Sequence, residues 1–501
     1  MGLTAGLGGA VRHGCVALVA GERVVGACEQ ERVTRVRGAG FNGTGLPDEA
    51  LDTLLERLGQ DRGEVTKYAI AERAKPRQDE NLAQLDHHLA HACASYLSSP
   101  FSSAAIVVCD QESPKVSVWR GREGDVTRVD WPWRGPGFAE LYSDCAEIFG
   151  LKSEAGGQRF EGLARLAPNR RDDRLHSLLD GDGHSLKVQS GWRATVRGWL
   201  PTGPEGDPGS RTTAALASAL QARAGELFMD LLADVHKDAG DVPLCLGGDF
   251  FHHSAMNTLA KRAELFREVF VPVNPGNAGL AVGTALHVSG AKPQPVSPFL
   301  GPAFQLHEIK ETLDNCKLRY DWVTEADAVS MTVDAVRHGM LVGWFDGAME
   351  WGPRALGARC ILASPFAPYV LENLNRFLKR REPWHGYALS GLKEDVAKHF
   401  AGPENSPFME CDYQPRDAAQ FRNILPTPEA ALRIQTVGES APPRFRKLLK
   451  AFGEATGFPF LVNTSFNGFH EPMVCTPRDA VRVFYGSGLD MLVLDSFVIT
   501  K

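Results

Sequence analysis

The 501-residue chain has no Cys-x-x-Cys pair, and its ten cysteines are scattered singly. A zinc ribbon or a disulfide framework needs closely spaced or paired thiols. The spacing therefore excludes both and fits reduced thiols in a cytoplasm. No apolar run approaches the ~18 residues of a membrane span. Met1-Gly-Leu-Thr-Ala-Gly6 carries neither a basic stretch followed by an apolar one nor Ser or Thr at position 6. Neither a secretory signal nor myristoylation is expected. Excess positive charge is also missing: the net charge of -7 gives no electrostatic footprint for nucleic acid or an anionic membrane.

What remains is an average globular composition, 43% hydrophobic and 23% charged. The length implies two to four units at roughly 100–200 residues each. Two apolar stretches around Ala20-Gly21-Glu22 predict a β-hairpin, followed by the charged run Glu29–Arg37. Leu51, Leu54, Leu55 and Leu58 share one helix face. Strand–turn–helix units with small turn residues recur as far as the Ala/Gly-rich segment Leu280–Val288 and predict a mixed α/β domain over 1–290. Three prolines in Ala291–Pro298 mark a linker, drawn over 291–325, and a second α/β domain follows over 326–501.

Several clusters carry chemistry. In Asp86-His-His-Leu-Ala-His91, His87 and His91 are four apart, so a helix presents both imidazoles on one face. Asp110 ends the apolar run Ala104–Cys109, where an α/β sheet places ligand-binding carboxylates. These three fit a two-His-one-carboxylate metal set, although a His pair at this spacing is also common as plain structure. Gly247-Gly248 after a strand suits either a phosphate on a helix N-terminus or an ordinary tight turn. Lys152–Ala164 reads as a glycine-punctuated loop entering a short helix, and Pro201–Gly209 as a surface excursion.

The central stretch is Gly343–Arg359. A strand, Leu341–Phe345, turns through Gly347, Gly352, Pro353 and Gly357 and presents Arg354 and Arg359. Arginine forks match oxyanions bidentately; a turn-rich loop with solvated arginines fits the composition equally. Leu371–Glu382 predicts an amphipathic helix ending in Arg376, Lys379, Arg380 and Arg381. The strand Phe458–Val462 delivers the polar cluster Asn463-Thr-Ser-Phe-Asn467, suited to a phosphate or amide. Thr476-Pro-Arg-Asp479 is a helix start with capping chemistry.

Taken together, His87–His91, Gly247-Gly248, Asn277-Ala-Gly279, Glu350–Arg359, Arg433-Ile-Gln435 and Asn463–Asn467 resemble the nodulation-protein and antibiotic-type O-carbamoyltransferase family, in the same order along nearly the whole chain. The resemblance implies an actin/Hsp70-like ATPase-type N-terminal domain and a C-terminal α/β domain like the synthase that makes the acyl-adenylate of tRNA threonylcarbamoylation. It implies ATP and carbamoyl phosphate as substrates, carbamoyl-adenylate as intermediate, and a small-molecule hydroxyl as acceptor, with a homodimer as one oligomeric form. Arg354, Arg359, Lys379, Arg381 and Arg433 would clamp the oxyanions, with Asn463, Ser465 and Asn467 holding amide or phosphate oxygens. Gly247 and Gly248 would face nucleotide. His87, His91, Asp110 and Asn277 would hold a divalent metal, iron or of Mg/Mn type, and His13 would take the acceptor proton. The chain departs from the family pattern at Asn277 and Gly14, where acids are common, and at Asp249-Phe-Phe-His-His253, which implies either a remodelled metal site with Asp249 or His252 taking over or weak metal binding. The competing readings are a tRNA threonylcarbamoyl-type protein, against which the acidic charge counts, and a non-catalytic actin-like ATP-binding protein.

Overall fold

The computed structural model describes residues 2–71, 81–151, 155–203, 207 and 209–501. Lys152–Glu154 of the expected glycine-punctuated loop, and residues 204–206 and 208 of the expected surface excursion, lie outside the described residues.

The N-terminal part is built twice on one plan. Strands β1 (Leu3–Gly8), β2 (Cys15–Ala20), β3 (Arg23–Glu29), β4 (Val65–Ile70) and β5 (Leu82–Gln84) form a sheet in the order β3-β2-β1-β4-β5. β1 to β3 are antiparallel, and β4 and β5 add in parallel. Strands β6 (Ser103–Cys109), β7 (Val116–Arg122), β8 (Asp125–Arg128), β11 (Leu244–Gly247) and β12 (Val269–Phe270) repeat that order as β8-β7-β6-β11-β12. Between the last two groups sits a small hairpin, β9 (Leu179–Asp182) and β10 (Ser185–Val188). Two five-stranded sheets of one topology are the arrangement that the actin/Hsp70 likeness implies.

Small residues let the two units close on each other. A Cβ on Gly6 of β1 would sit 1.9 Å from the Ala281 carbonyl oxygen, and one on Gly8 2.6 Å from that of Asn277. The helix Leu280–Val288 can thus lie directly on β1, and its residues Leu280 to Leu286 are all buried. The 29-residue helix Arg211–Ala239, N-capped by Ser210, buries Leu216, Leu220, Leu227, Leu231 and Val235 against the second sheet's core.

The C-terminal part is one ten-stranded sheet. Its strands are β13 (Asp321–Trp322), β14 (Val342–Phe345), β15 (Arg359–Ala363), β16 (Ala388–Leu392), β17 (Phe400–Ala401), β18 (Asp412–Pro415), β19 (Leu432–Val437), β20 (Phe460–Ser465), β21 (Met491–Leu494) and β22 (Phe497–Thr500), in the order β13-β22-β21-β14-β15-β20-β16-β19-β18-β17. The fold is therefore α/β: a duplicated actin-like unit with an additional C-terminal domain.

The expected linker over 291–325 is shorter than drawn. Ile309 and Leu313 of the helix Leu306–Asn315 belong to the C-terminal core, and Asp321–Trp322 pairs with β22. Only the proline-rich piece before that helix runs between the halves, where the Ala27 N–H donates to Leu300 and the Gln294 N–H to Leu97. The basic segment after Tyr369 is also not a plain α-helix: Asn373–Lys379 widens into a π-helix that ends at Arg380 with φ 48°. Such insertions gather at functional sites.

Candidate functional site

Asp86 caps the helix His87–Leu97 by accepting from the Leu89 N–H at 3.0 Å. One turn apart, the His87 and His91 Nε2 atoms each lie 3.3 Å from a different oxygen of Asp110, which follows β6 directly. The three donor atoms fall within 4.8 Å of one another. Asp110 is almost wholly buried, which alone would raise its pKa, yet His91 and His87 hold it well below the ordinary carboxylate value. His88 points elsewhere, 2.7 Å from Ser117 Oγ, and burial pushes it down to about 4.

These residues fit a divalent cation. Apart from its contact with Asp110, the fully buried His91 ring has no polar partner among the described residues, and the buried Oδ1 of Asn277 has no donor. Two imidazoles converging on one buried carboxylate are what an N/O metal set needs. Asp249 lines the same region, and burial together with the Asp110 carboxylate pushes it up to about 7.

Gly247 and Gly248 form the tight turn that leads from β11 to Asp249. A Cβ on Gly248 would meet the Cys109 carbonyl at 2.2 Å, and Gly248 itself has φ 104°. The turn aims the Asp249 N–H at Asp110 Oδ2, 3.0 Å away. Neither glycine, nor His87, His91 or Asp110, lines the cavity described next.

A cavity of about 930 Å³ opens between the halves. The N-terminal part contributes His13, Asp249, His252 and Asn277, and the C-terminal part Arg354, Lys379, Arg381, Arg433, Asn463, Ser465 and Asn467. His13 sits on a left-handed turn at φ 59°, and its N–H donates to the Gly38 carbonyl at 3.2 Å.

The C-terminal wall is rich in cations. Arg433 pairs with the fully buried Glu161 at 2.7 Å, and Arg165 with Glu161 and Asp412 at 3.0 Å each. Half-buried Arg354 donates to the His252 carbonyl at 3.3 Å and pairs with no carboxylate among the described residues. Burial, and then the like charge of Arg433, lower its guanidinium well below the ordinary value. The Lys379 ammonium is 4% exposed and held by neutral oxygens alone: the carbonyls of Ser465 at 2.5 Å and Asn467 at 3.0 Å, and Asn467 Oδ1. Burial and Arg381 depress it strongly. His385, which accepts from Arg381 at 3.1 Å, is likewise kept well below its usual value by burial and Arg381. Crowded cations with few counter-charges are an environment that an incoming anion would relieve.

Arg359 does not join them. It is fully buried, stacks on Phe345 at 3.5 Å, and donates to the carbonyls of Asp346, Ala358, Pro302 and Gly347 at 3.0–3.2 Å. The expectation that it clamps an anion beside Arg354 does not fit this geometry: both terminal nitrogens donate to backbone, only Nε is left without a partner, and the side chain lies off the cavity wall. Asn463 lies inside β20 rather than beyond it, its Nδ2 donating to Ala355 O at 3.0 Å and Ser390 Oγ at 2.9 Å. Gln435 joins this network, accepting from Ser390 and donating to Leu356 O.

Sequence reading missed Glu161, Arg165 and Tyr142, which also line or support the cavity. The Tyr142 hydroxyl is buried without a partner and its ring stacks on His253 at 4.3 Å. Their signal was faint: Glu161 sits in a glycine-punctuated stretch, and nothing local marks it as a counter-charge for Arg433, 272 residues away.

Residues 333–501 match the carbamoyltransferase C-terminus family. An uncharacterized protein of Synechocystis sp. is 30% identical over 87% of this chain and 79% of its own length. The nodulation protein NolO of Bradyrhizobium diazoefficiens is 29% identical over 67% of this chain and 64% of its own. A 3'-hydroxymethylcephem-O-carbamoyltransferase of Amycolatopsis lactamdurans is 29% identical over 51% and 48%. Among solved structures, the activator of 2-hydroxyisocaproyl-CoA dehydratase from Clostridium difficile is 15% identical, covering 57% of this chain and 94% of that one at a TM-score of 0.38. The two-sheet unit, the cavity between it and the matched C-terminal domain, and these relatives lead to one conclusion: the chain belongs to the carbamoyltransferase family and is an enzyme of that kind.

Proposed function

We propose that the chain is an ATP-dependent O-carbamoyltransferase that makes carbamoyl-adenylate on the C-terminal wall of the cavity. The carbamoyl group then passes to a hydroxyl of a small-molecule natural product on the N-terminal wall. The observation that carries this reading is Arg354, a half-buried guanidinium without a carboxylate, set among Arg433, Arg165 and Arg381. An incoming oxyanion supplies the missing counter-charge, and in a site shielded from water such a clamp also stabilises charge that develops during reaction.

Carbamoyl phosphate takes up one water and releases orthophosphate, leaving carbamate. A carbamate oxygen then attacks the α-phosphorus of ATP; the new C–O–P linkage forms as the bond to pyrophosphate breaks. Arg354, Arg433 and Arg381 hold the oxyanions, and Lys379, fixed by Ser465 and Asn467, puts a buried positive charge beside them. At the N-terminal wall the acceptor hydroxyl attacks the carbamoyl carbon, its proton goes to His13, and AMP leaves. A divalent ion on His87, His91 and Asp110 would supply positive charge for phosphate and carbonyl oxygens there.

The test is incubation with ATP and carbamoyl phosphate, followed by pyrophosphate release and the mass of carbamoyl-adenylate. Both are expected from the unaltered chain and neither from Arg354→Ala. Failure of the unaltered, metal-supplemented protein to form either product would sink the reading.

A further inference from the structure

The charged run after β3 has no part in the chemistry above, yet it touches both loops that carry the oxyanion site. Glu29, Arg32 and Arg35 flank or lie on the short helix Gln30–Thr34. Glu29 Oε1 accepts from the Gly352 N–H at 2.6 Å, while the Arg32 guanidinium donates to the Gly352 carbonyl at 2.9 Å. Both backbone polar atoms of one residue, two positions before Arg354, are thus held from the other half of the molecule. Glu29 and Arg32 are 4% and 7% exposed, and they pair with each other at 3.4 Å. Burial would lower the Arg32 pKa, but Glu29 and Glu31 outweigh it and raise it above its ordinary value. Arg35 donates to the carbonyls of Met473 at 2.6 Å and Pro472 at 2.7 Å, and lies 3.4 Å from Asp479. Those residues close the loop that begins with Ser465 and Asn467. The start of the run is also tied to the other wall: the Gln30 N–H donates to the Gly14 carbonyl at 2.7 Å, next to His13.

We infer that Glu29 and Arg32 are positioning residues that seat Arg354, and that Arg35 does the same for the Ser465–Asn467 loop, so one short helix sets the His13 turn and both oxyanion loops in register. Gly352 has φ 104°, a conformation with little support of its own in the chain. Its two hydrogen bonds to the Glu29–Arg32 pair hold that turn, and Arg354 follows from it. The inference rests on the proposed oxyanion role of Arg354.

The experiment is a double-mutant cycle read by calorimetric titration with carbamoyl phosphate, and separately with inorganic pyrophosphate, on the full chain. Glu29→Ala is expected to weaken carbamoyl phosphate binding tenfold or more, and Glu29→Gln, which keeps an acceptor for the Gly352 N–H, to recover most of that loss. In an Arg354→Ala background, Glu29→Ala is expected to add less than a twofold further loss. The inference is overturned if Glu29→Ala leaves affinity unchanged, or if its full penalty persists without Arg354, because a merely structural role gives that additive result. Should Glu29→Ala not fold, Arg32→Lys enters the same cycle. A chain that binds carbamoyl phosphate through Arg354 but releases no pyrophosphate overturns the adenylation reading and leaves the positioning role standing. Binding of both anions that is indifferent to Arg354 overturns both.

Discussion

Arg354 and Arg359 are five positions apart and have opposite environments. Arg354 lines the cavity among other cations, while four carbonyls and the Phe345 ring surround Arg359 in the core. Substitution separates them. Arg354→Ala removes like-charge repulsion from a half-buried site, so its melting temperature is expected to stay within a few degrees of the unaltered chain, while its Kd for carbamoyl phosphate rises at least tenfold. Arg359→Ala leaves several buried carbonyls without donors and is expected to lower stability by about 2–4 kcal/mol, seen in denaturant unfolding. An Arg359→Ala protein that unfolds like the unaltered chain but fails only in turnover contradicts this division. Residue type and spacing cannot distinguish these two arginines. What decides is the four-carbonyl cage, built from the 302 and 346–358 segments only once the chain folds.

At the scale of elements, the turn between β11 and the helix Ser254–Arg262 links backbone strain to the candidate metal centre. Gly248→Ala puts a Cβ where the Cys109 carbonyl already lies, at a φ of 104° that L residues rarely adopt. The expected result is a loss of about 1–3 kcal/mol or more, together with reduced metal content, because the Asp249 N–H no longer reaches Asp110. Metal analysis of both purified proteins checks it; a destabilised Gly248→Ala that retains full metal breaks the link. Elements with a strong apolar period were legible in the sequence: the helix Arg211–Ala239, strand β6, and the helix Pro443–Thr456, whose Phe445, Leu448, Leu449 and Phe452 are all buried. β1 was not, since its Leu-Thr-Ala-Gly-Leu-Gly run is small-residue sequence that forms a central strand only because the helix Leu280–Val288 packs on its glycines. The clustering of His87, His91 and Asp110 was legible because local spacing supplies two of its members and a strand end the third. The Glu29–Gly352 and Glu161–Arg433 contacts were not, because their partners lie in different halves of the chain.

For the molecule as a whole, buried charge holds the two halves around the cavity. Glu161 and Arg165 come from the N-terminal half, Arg433 and Asp412 from the C-terminal half, and Ser254 Oγ bridges them, donating to Asp412 at 2.7 Å and accepting from Arg433 at 2.8 Å. Burial alone would raise the Glu161 pKa, but Arg165 and Arg433 hold it well below the ordinary carboxylate value. A carboxylate depressed on folding stabilises the folded state above its unfolded pKa of about 4.3, and that contribution is lost as pH falls through the folded value. The acid limb of the stability curve should therefore begin below about pH 4.3 and steepen there. Glu161→Gln keeps the shape but strands Arg165 and Arg433 with a single remaining carboxylate, Asp412. Breaking a buried pair from one side costs about 3–5 kcal/mol. Calorimetric melts of Glu161→Gln are expected to show that loss at pH 7 and a shallower acid limb than the unaltered chain. Because the pair spans the cavity, the two halves should also separate into distinct transitions in the variant. A single transition with an unchanged acid limb removes Glu161 as the bond between the halves and leaves the Glu29–Arg32–Arg35 staple to hold them.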